Sequence, residues 1–199
     1  MKIRGKFLVE ALGSQPNNKE IQTEFIGNKS KDADKIAEET AALPVEEALE
    51  KSQTVFYRTD GALALADYQV KGFFKEACSM LSRVPKTASC ELRAFKKVID
   101  GLIFVTPRFI KLKTEDGTPV VAPSGNCQRP LRGQTAQGER ISLANSEVVP
   151  AGTTFECEIT CLDKRHEKLV EEWLNYGKLK GLLQWRNSGR GVFSWERLD

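Results

Sequence analysis

The sequence predicts an α+β fold of the ferredoxin-like (split βαβ, RRM-like) type: an antiparallel sheet with helices on one face and long loop insertions. Three observations predict it. Periodic segments run in the order strand, helix, strand, strand, helix, strand. Each of the two long helical segments carries one apolar stripe, so both must cover a sheet face. Residues 10–61 and 113–140 show little of a core pattern and read as an inserted arm and an inserted loop or hairpin within one domain spanning 1–199.

The first strand covers Lys2 to Val9. Ile3, Phe7 and Val9 share one face, and Lys2, Arg4 and Lys6 share the other. The arm then begins with turn residues Gly13, Pro16, Asn17 and Asn18. Its acidic stretch after Lys31 has helical character and breaks before Pro44. A better helix starts at Asp67, a capping residue, with Val70, Phe73, Phe74, Ala77 and Leu81 on one stripe. A shorter helix is expected from Glu91 to Ile99. Leu102 to Val105 and Phe109 to Leu112 then form strand separated by the irregularity at Pro107.

Pro123 to Arg140 is rich in Gly, Gln and Arg and poor in core residues, so it is a loop or an extended ribbon. Strand pattern returns at Ile141 to Val149, and again from Phe155 to Cys161 after the Pro150-Ala151-Gly152 turn. Asp163 precedes a helix with the stripe Leu169, Val170, Trp173 and Leu174. Gly177 and Gly181 bracket its end, and Val192 to Leu198 is the last strand.

Composition excludes several classes. Hydrophobic content of 40% and charged content of 29% are ordinary for a globular chain. No apolar run approaches the roughly 20 residues a membrane helix needs. The N-terminal stretch is no signal peptide, so a cytoplasmic protein without membrane contact is expected. The net charge of +3 hides an asymmetry. Residues 32–51 hold seven acids and two lysines, a net of −5, which leaves +8 on the rest. A basic body with one acidic segment is compatible with nucleic-acid binding and equally with an ordinary solvated surface.

The five cysteines are odd in number and loosely spaced, which argues against a disulfide framework. Cys157 and Cys161 alternate with Glu156, Glu158 and Thr160, as core positions of a half-buried strand do, and a zinc site needs more ligands. There is no Walker loop, no zinc quartet and no serine-nucleophile elbow, so no cofactor is implied.

Three segments, TDGALALADYQVKGFFKEA (Thr59 to Ala77, containing Lys71-Gly72), SEVVPAGTTFECEI (Ser146 to Ile159) and GKLKGLLQWRNSGRGVFSWERL (Gly177 to Leu198), resemble the RAMP superfamily, the RNA-binding fold of CRISPR effector complexes. They cover well under half of the chain, in the order the fold requires. The chain also resembles small RAMP-like proteins of phages and prophages. It departs from the family in its long arm and in carrying Leu182, Leu183, Gln184 and Trp185 where more glycine is usual in the loop before the last strand.

The resemblance implies RNA binding through that glycine-rich loop: Trp185, Arg186, Asn187, Ser188, Gly189, Arg190 and Gly191. Glycine lets backbone amides approach a phosphate, arginine neutralises it, and tryptophan stacks on a base. The alternative is a turn with Trp185 in the core. Arg129, Arg132 and Arg140, with neighbouring glutamines, suit a backbone-gripping arm or a solvated loop. In RAMP backbone subunits an extended hairpin at this place helps clamp guide RNA. Lys71, early in its helix, suits an anion or simply solvent. Lys2, Arg4 and Lys6 form either an RNA-facing or a solvent-facing sheet surface.

Catalysis has thin support. His166 lies away from the histidine position of guide-processing RAMP ribonucleases. Asp32, Asp34 and Asp60 lie in the insertion that corresponds to the cleaving loop of some backbone subunits, without an aligned match. The leading expectation is therefore a non-catalytic RNA-binding RAMP-like protein. It would partner RNA, CRISPR effector proteins or further copies of itself. The alternatives are a phage-encoded protein-interaction module that mimics or blocks a defence complex, with antiviral defence as the setting, and a metal-independent endoribonuclease.

Overall fold

The structure is a computed structural model and describes residues 1–17, 53–135 and 138–199. The acidic stretch, with Asp32 and Asp34, lies outside the described residues, as does Gln137.

The core strands are β1 (Lys2–Phe7), β7 (Ile103–Thr106) with β8 (Phe109–Lys113), β11 (Thr154–Cys161) and β12 (Phe193–Arg197). The helices are α1 (Asp67–Leu81), α2 (Phe95–Leu102) and α3 (Glu167–Tyr176). β12 pairs with β1, β1 with β11, and β11 with β7 and β8, all antiparallel. That order, last strand, first, third, second, is the ferredoxin-like one. β6 (Ala62–Ala66) and β5 (Tyr57–Thr59) extend the sheet beyond β8.

Alternation explains the sheet. Ile3, Gly5 and Phe7 are buried on β1, and Phe155, Cys157 and Ile159 on β11. Aromatic rings fill the layer between sheet and helices. Phe193 meets Phe73 of α1 at 5.3 Å and Phe155 at 5.7 Å, and Phe74 meets Trp173 of α3 at 5.5 Å. Each such side chain contributes about 1.5–3 kcal/mol on burial. Gly5 is required here because a Cβ would strike the Phe155 ring.

Local boundaries differ from the sequence expectation in several places. β1 stops at Phe7, and Val9, expected on its inner face, is exposed. Leu102 closes α2, and the strand expected from it begins at Ile103. The cap of α1 is Ala66, whose N–H donates to Gln69 Oε1 at 2.8 Å, and Asp67 is the first helical residue. The expected helix from Glu91 to Ile99 is instead a 3₁₀ turn (Ala88–Glu91) followed by α2. Glu172 of α3 explains the turn: its carboxylate accepts from the backbone N–H of Ala88 and Ser89 and from Ser89 Oγ. Trp173 Nε1 in turn donates to Ser89 Oγ at 2.9 Å.

The two insertions meet. β2 (Ala11–Leu12), β3 (Gln15–Pro16) and β4 (Gln53–Val55) from the arm join β9 (Gly125–Thr135) and β10 (Gly138–Val149) in a second, five-stranded sheet. The Gly/Arg-rich segment is thus an extended ribbon. Among the described residues, no helix is long and apolar enough to cross a membrane.

Candidate nucleic-acid interface

The loop between α3 and β12 folds back on itself by glycine. A Cβ on Gly181 would strike the backbone of Arg190 and Gly191, and one on Gly191 (φ +69°) would strike Leu182 O. This close approach lets Leu182 N–H donate to Gly191 O at 2.9 Å. Gly191 N–H donates to Glu10 O at 2.9 Å, which fixes the loop against the segment that follows β1. Gly189 (φ +74°) faces open space, so its backbone stays approachable from outside.

The loop's arginines are held by carboxylates. Arg186 donates to Glu76 of α1, and Lys180 reaches the same carboxylate at 3.4 Å. Arg190 donates to Glu10. Lys180 Nζ also donates to Asn187 Oδ1 at 2.5 Å. Sequence reading missed Glu76 and Glu10. No local signal marks either acid: Glu76 lies 110 residues from Arg186 and Glu10 lies 180 from Arg190.

Arg129 stands in the second sheet and is only 5% exposed. Its Nη1 donates to Ser146 Oγ at 3.0 Å and its Nη2 to Gln184 Oε1 at 2.8 Å, while Nε is buried without an acceptor. Its guanidinium lies 5.2 Å from the Trp185 ring centre, and that of Arg190 lies 5.7 Å from it. Trp185 is therefore neither a core residue nor a free platform. It is 38% exposed, with two cations against its ring. A cleft of about 460 Å³ opens beside it, lined by Ser14, Glu76, Gln184, Arg186 and Asn187.

No carboxylate pairs with Arg129 among the described residues. The contrast with Glu147, on β10 of the same sheet, is informative. Glu147 is also buried, yet it accepts from Arg58 at 2.6 Å and from Phe56 N–H at 2.9 Å. Arg129, Lys180, Arg186 and Arg190 face two acids, Glu10 and Glu76, which leaves the cluster at a net of +2.

The structure thus brings Trp185, Arg186, Asn187, Arg190 and Arg129 together. The Arg186–Ser188 segment is a 3₁₀ turn closed by Gly189. Arg129, expected on a flexible arm, is instead a buried ribbon residue. Arg132 and Arg140 lie further along the ribbon, opposite Ile141 and Gly133. Lys71 is apart from the cluster: it donates to Asp100 O at 3.3 Å and lies 5.2 Å from the Phe104 ring centre.

Comparison of the chain with protein-family models and with curated proteins finds no match in either. Among solved structures it is similar to a chain in "Cryo-EM structure of the Type III-B Cmr-beta bound to cognate target RNA". The TM-score is 0.44 and the identity 10%, over 98% of this chain and 58% of that chain. The chain therefore spans less than two thirds of the length of the protein it matches. No functional weight rests on a likeness of this size.

Arg4 and Lys6 of the expected sheet surface are neutralised. On the open sheet face Arg4 lies between Glu156 (2.8 Å) and Glu196 (3.1 Å), Lys6 meets Glu115 at 2.7 Å, and Lys113 meets Glu156 at 2.8 Å. Hydrogen bonds from Lys113, then Arg4, hold the Glu156 carboxyl below the usual carboxylate range. Asp60 is exposed and paired with Lys111 at 2.8 Å. His166 is half-buried, in a 3₁₀ turn (Lys164–His166) ahead of α3. Cys157 is buried on β11, where burial pushes its thiol up to about 12.

Proposed function

We propose that this chain is a non-catalytic RNA-binding protein of RAMP type that grips the sugar-phosphate backbone at the Trp185–Gly191 loop. Arg129 is the observation that carries the reading. A buried guanidinium without a carboxylate is costly to fold, and its charge is poorly screened by solvent. An anion beside the Trp185 loop offsets that cost, and a phosphate is the anion that arginine forks recognise. Glu10 and Glu76 occupy the phosphate-binding groups of Arg190 and Arg186 until RNA displaces them. Open space at the Cβ position of Gly189 leaves room for a phosphate to approach the same edge.

A backbone-directed site of this kind has little sequence preference and strong salt dependence. Binding along a strand also suits assembly of several copies on one RNA. The test is binding of labelled single-stranded RNA and DNA, at low and physiological salt, by protein freed of nucleic acid. RNA binding that weakens with salt, and weakens further in the Arg186→Ala/Arg190→Ala double variant, is expected. A folded protein that binds neither nucleic acid overturns the reading.

A further inference from the structure

The connection from the end of α1 into α2, residues 83–97, carries Arg83, Lys86, Arg93, Lys96 and Lys97, with Glu91 as its one acid. All five cations are exposed. None has an ion pair or side-chain hydrogen bond among the described residues. Five cations of the open sheet face and the glycine-rich loop behave oppositely: Arg4, Lys6, Lys113, Arg186 and Arg190 all hold carboxylates.

The segment is held firmly by its uncharged residues. Thr87 Oγ1 donates to Leu81 O at 2.8 Å, and Glu172 holds the backbone of Ala88 and Ser89. Charge is therefore presented on an ordered platform. It also stands against local preference. Lys96 and Lys97 occupy the first turn of α2, which has no acid there, although the helix dipole disfavours cations at that end by about 0.3–1 kcal/mol each. A break with local preference that no internal contact repays marks a surface shaped for something else.

Its position fits a strand leaving the loop. Glu76, which holds Arg186, lies on α1. The helix ends at Leu81, and Arg83 follows in the turn past its cap Ser82, with its N–H donating to Met80 O at 3.2 Å, so the segment begins where the helix that carries Glu76 ends.

We propose that residues 83–97 form a second binding surface, for the sugar-phosphate backbone of single-stranded RNA, continuing the track that begins at the Trp185–Gly191 loop. The proposal rests on the chain being RNA-binding, but not on the loop arginines making the contact. Its occupant is RNA because five free cations match a repeating phosphate charge, whereas a folded protein surface offers mixed charge.

The experiment measures binding of a labelled single-stranded RNA across a salt series by the full chain. It compares wild type with a variant changing all five to Gln (Arg83→Gln, Lys86→Gln, Arg93→Gln, Lys96→Gln, Lys97→Gln) and with one exchanging each Lys for Arg and each Arg for Lys. Circular dichroism checks that each is folded. The Gln variant is expected to lose more than tenfold in affinity at low salt. Its log–log salt slope should fall by about 3, at roughly 0.7 per lost phosphate contact. The exchange variant should bind like wild type. Unchanged affinity and slope in the folded Gln variant overturn the proposal. If Arg186→Ala/Arg190→Ala alone then abolishes binding, the loop reading survives without it. Wild type that binds no RNA removes both.

Discussion

Arg129 Nη2 donates to Gln184 Oε1 at 2.8 Å, a contact between the ribbon and the glycine-rich loop across 55 residues of sequence. It couples a buried cation to the segment that presents Trp185. Gln184 thus ties the loop, next to Trp185, to the second sheet.

This coupling separates stability from binding. Arg129→Met replaces a buried charge lacking a counter-ion with an apolar side chain of similar length. Relief of the desolvation cost of the charge offsets the two hydrogen bonds lost. Urea denaturation should show stability unchanged or raised, while RNA affinity falls at least several-fold. A loss of more than about 2 kcal/mol with affinity intact would make Arg129 a structural residue. Gln184→Ala, which leaves the charge with one acceptor fewer, should cost about 1–3 kcal/mol.

Glycine roles within the loop are separable by thermal melts. Gly189→Ala meets open space, so only its positive φ is penalised, at about 1 kcal/mol. Gly191→Ala adds a clash with Leu182 O and should destabilise distinctly more. Equal effects would show that the loop's two limbs can separate freely.

Trp173 is fully buried and donates to Ser89, which donates to Glu172. Trp173→Phe keeps most of the apolar area and removes the donor. A loss of about 1–3 kcal/mol in urea denaturation is expected from the hydrogen bond and the smaller ring.

Acid sensitivity has a local source at the entry to α3. Hydrogen bonds from the Arg165 side chain, then its backbone N–H, lower the Asp163 carboxyl to about 2. Because the folded value lies below the unfolded one, its stabilisation is fully present above about pH 4. It is lost as pH falls through about 2. Asp163→Asn, which mimics the protonated carboxyl, should flatten the stability profile over that window by lowering stability at neutral pH and leaving it nearly unchanged below about pH 2. An unaltered acid limb would show that Asp163 is not a contributor.

Thiol labelling checks the core assignment. Cys90 is exposed, whereas Cys78 and Cys157 are buried and burial raises both thiols. At mildly alkaline pH, Cys90 should react first, and Cys78 and Cys157 only after denaturant is added. Rapid native labelling of Cys157 would contradict its place on the inner face of β11.

The candidate site was partly legible beforehand. Trp185, Arg186 and Arg190 stood out because arginine and glycine cluster visibly in the chain. Their carboxylate partners did not, since Glu76 and Glu10 are distant in sequence and each is an unremarkable surface acid by itself. Arg129 was visible as a charge but not as a buried one. Its burial comes from the second sheet, where β9, rich in Gly, Gln and Arg, shows no apolar alternation that would mark an inner face. The 83–97 surface was overlooked because its cations fall across a helix end, a 3₁₀ turn and a helix start, with no common periodicity.

Periodicity and apolar stripes determined by themselves the order of the core elements, the inner faces of β1 and β11, and the packing sides of α1 and α3. These follow from hydrophobic burial, which each segment encodes locally. Only the tertiary structure decided how the two insertions join into one sheet, which arginines are neutralised, and which cations stay free. Those outcomes depend on pairings between residues far apart in sequence, such as Arg190 with Glu10, 180 positions away. Chain closure, not local pattern, brings such charges together.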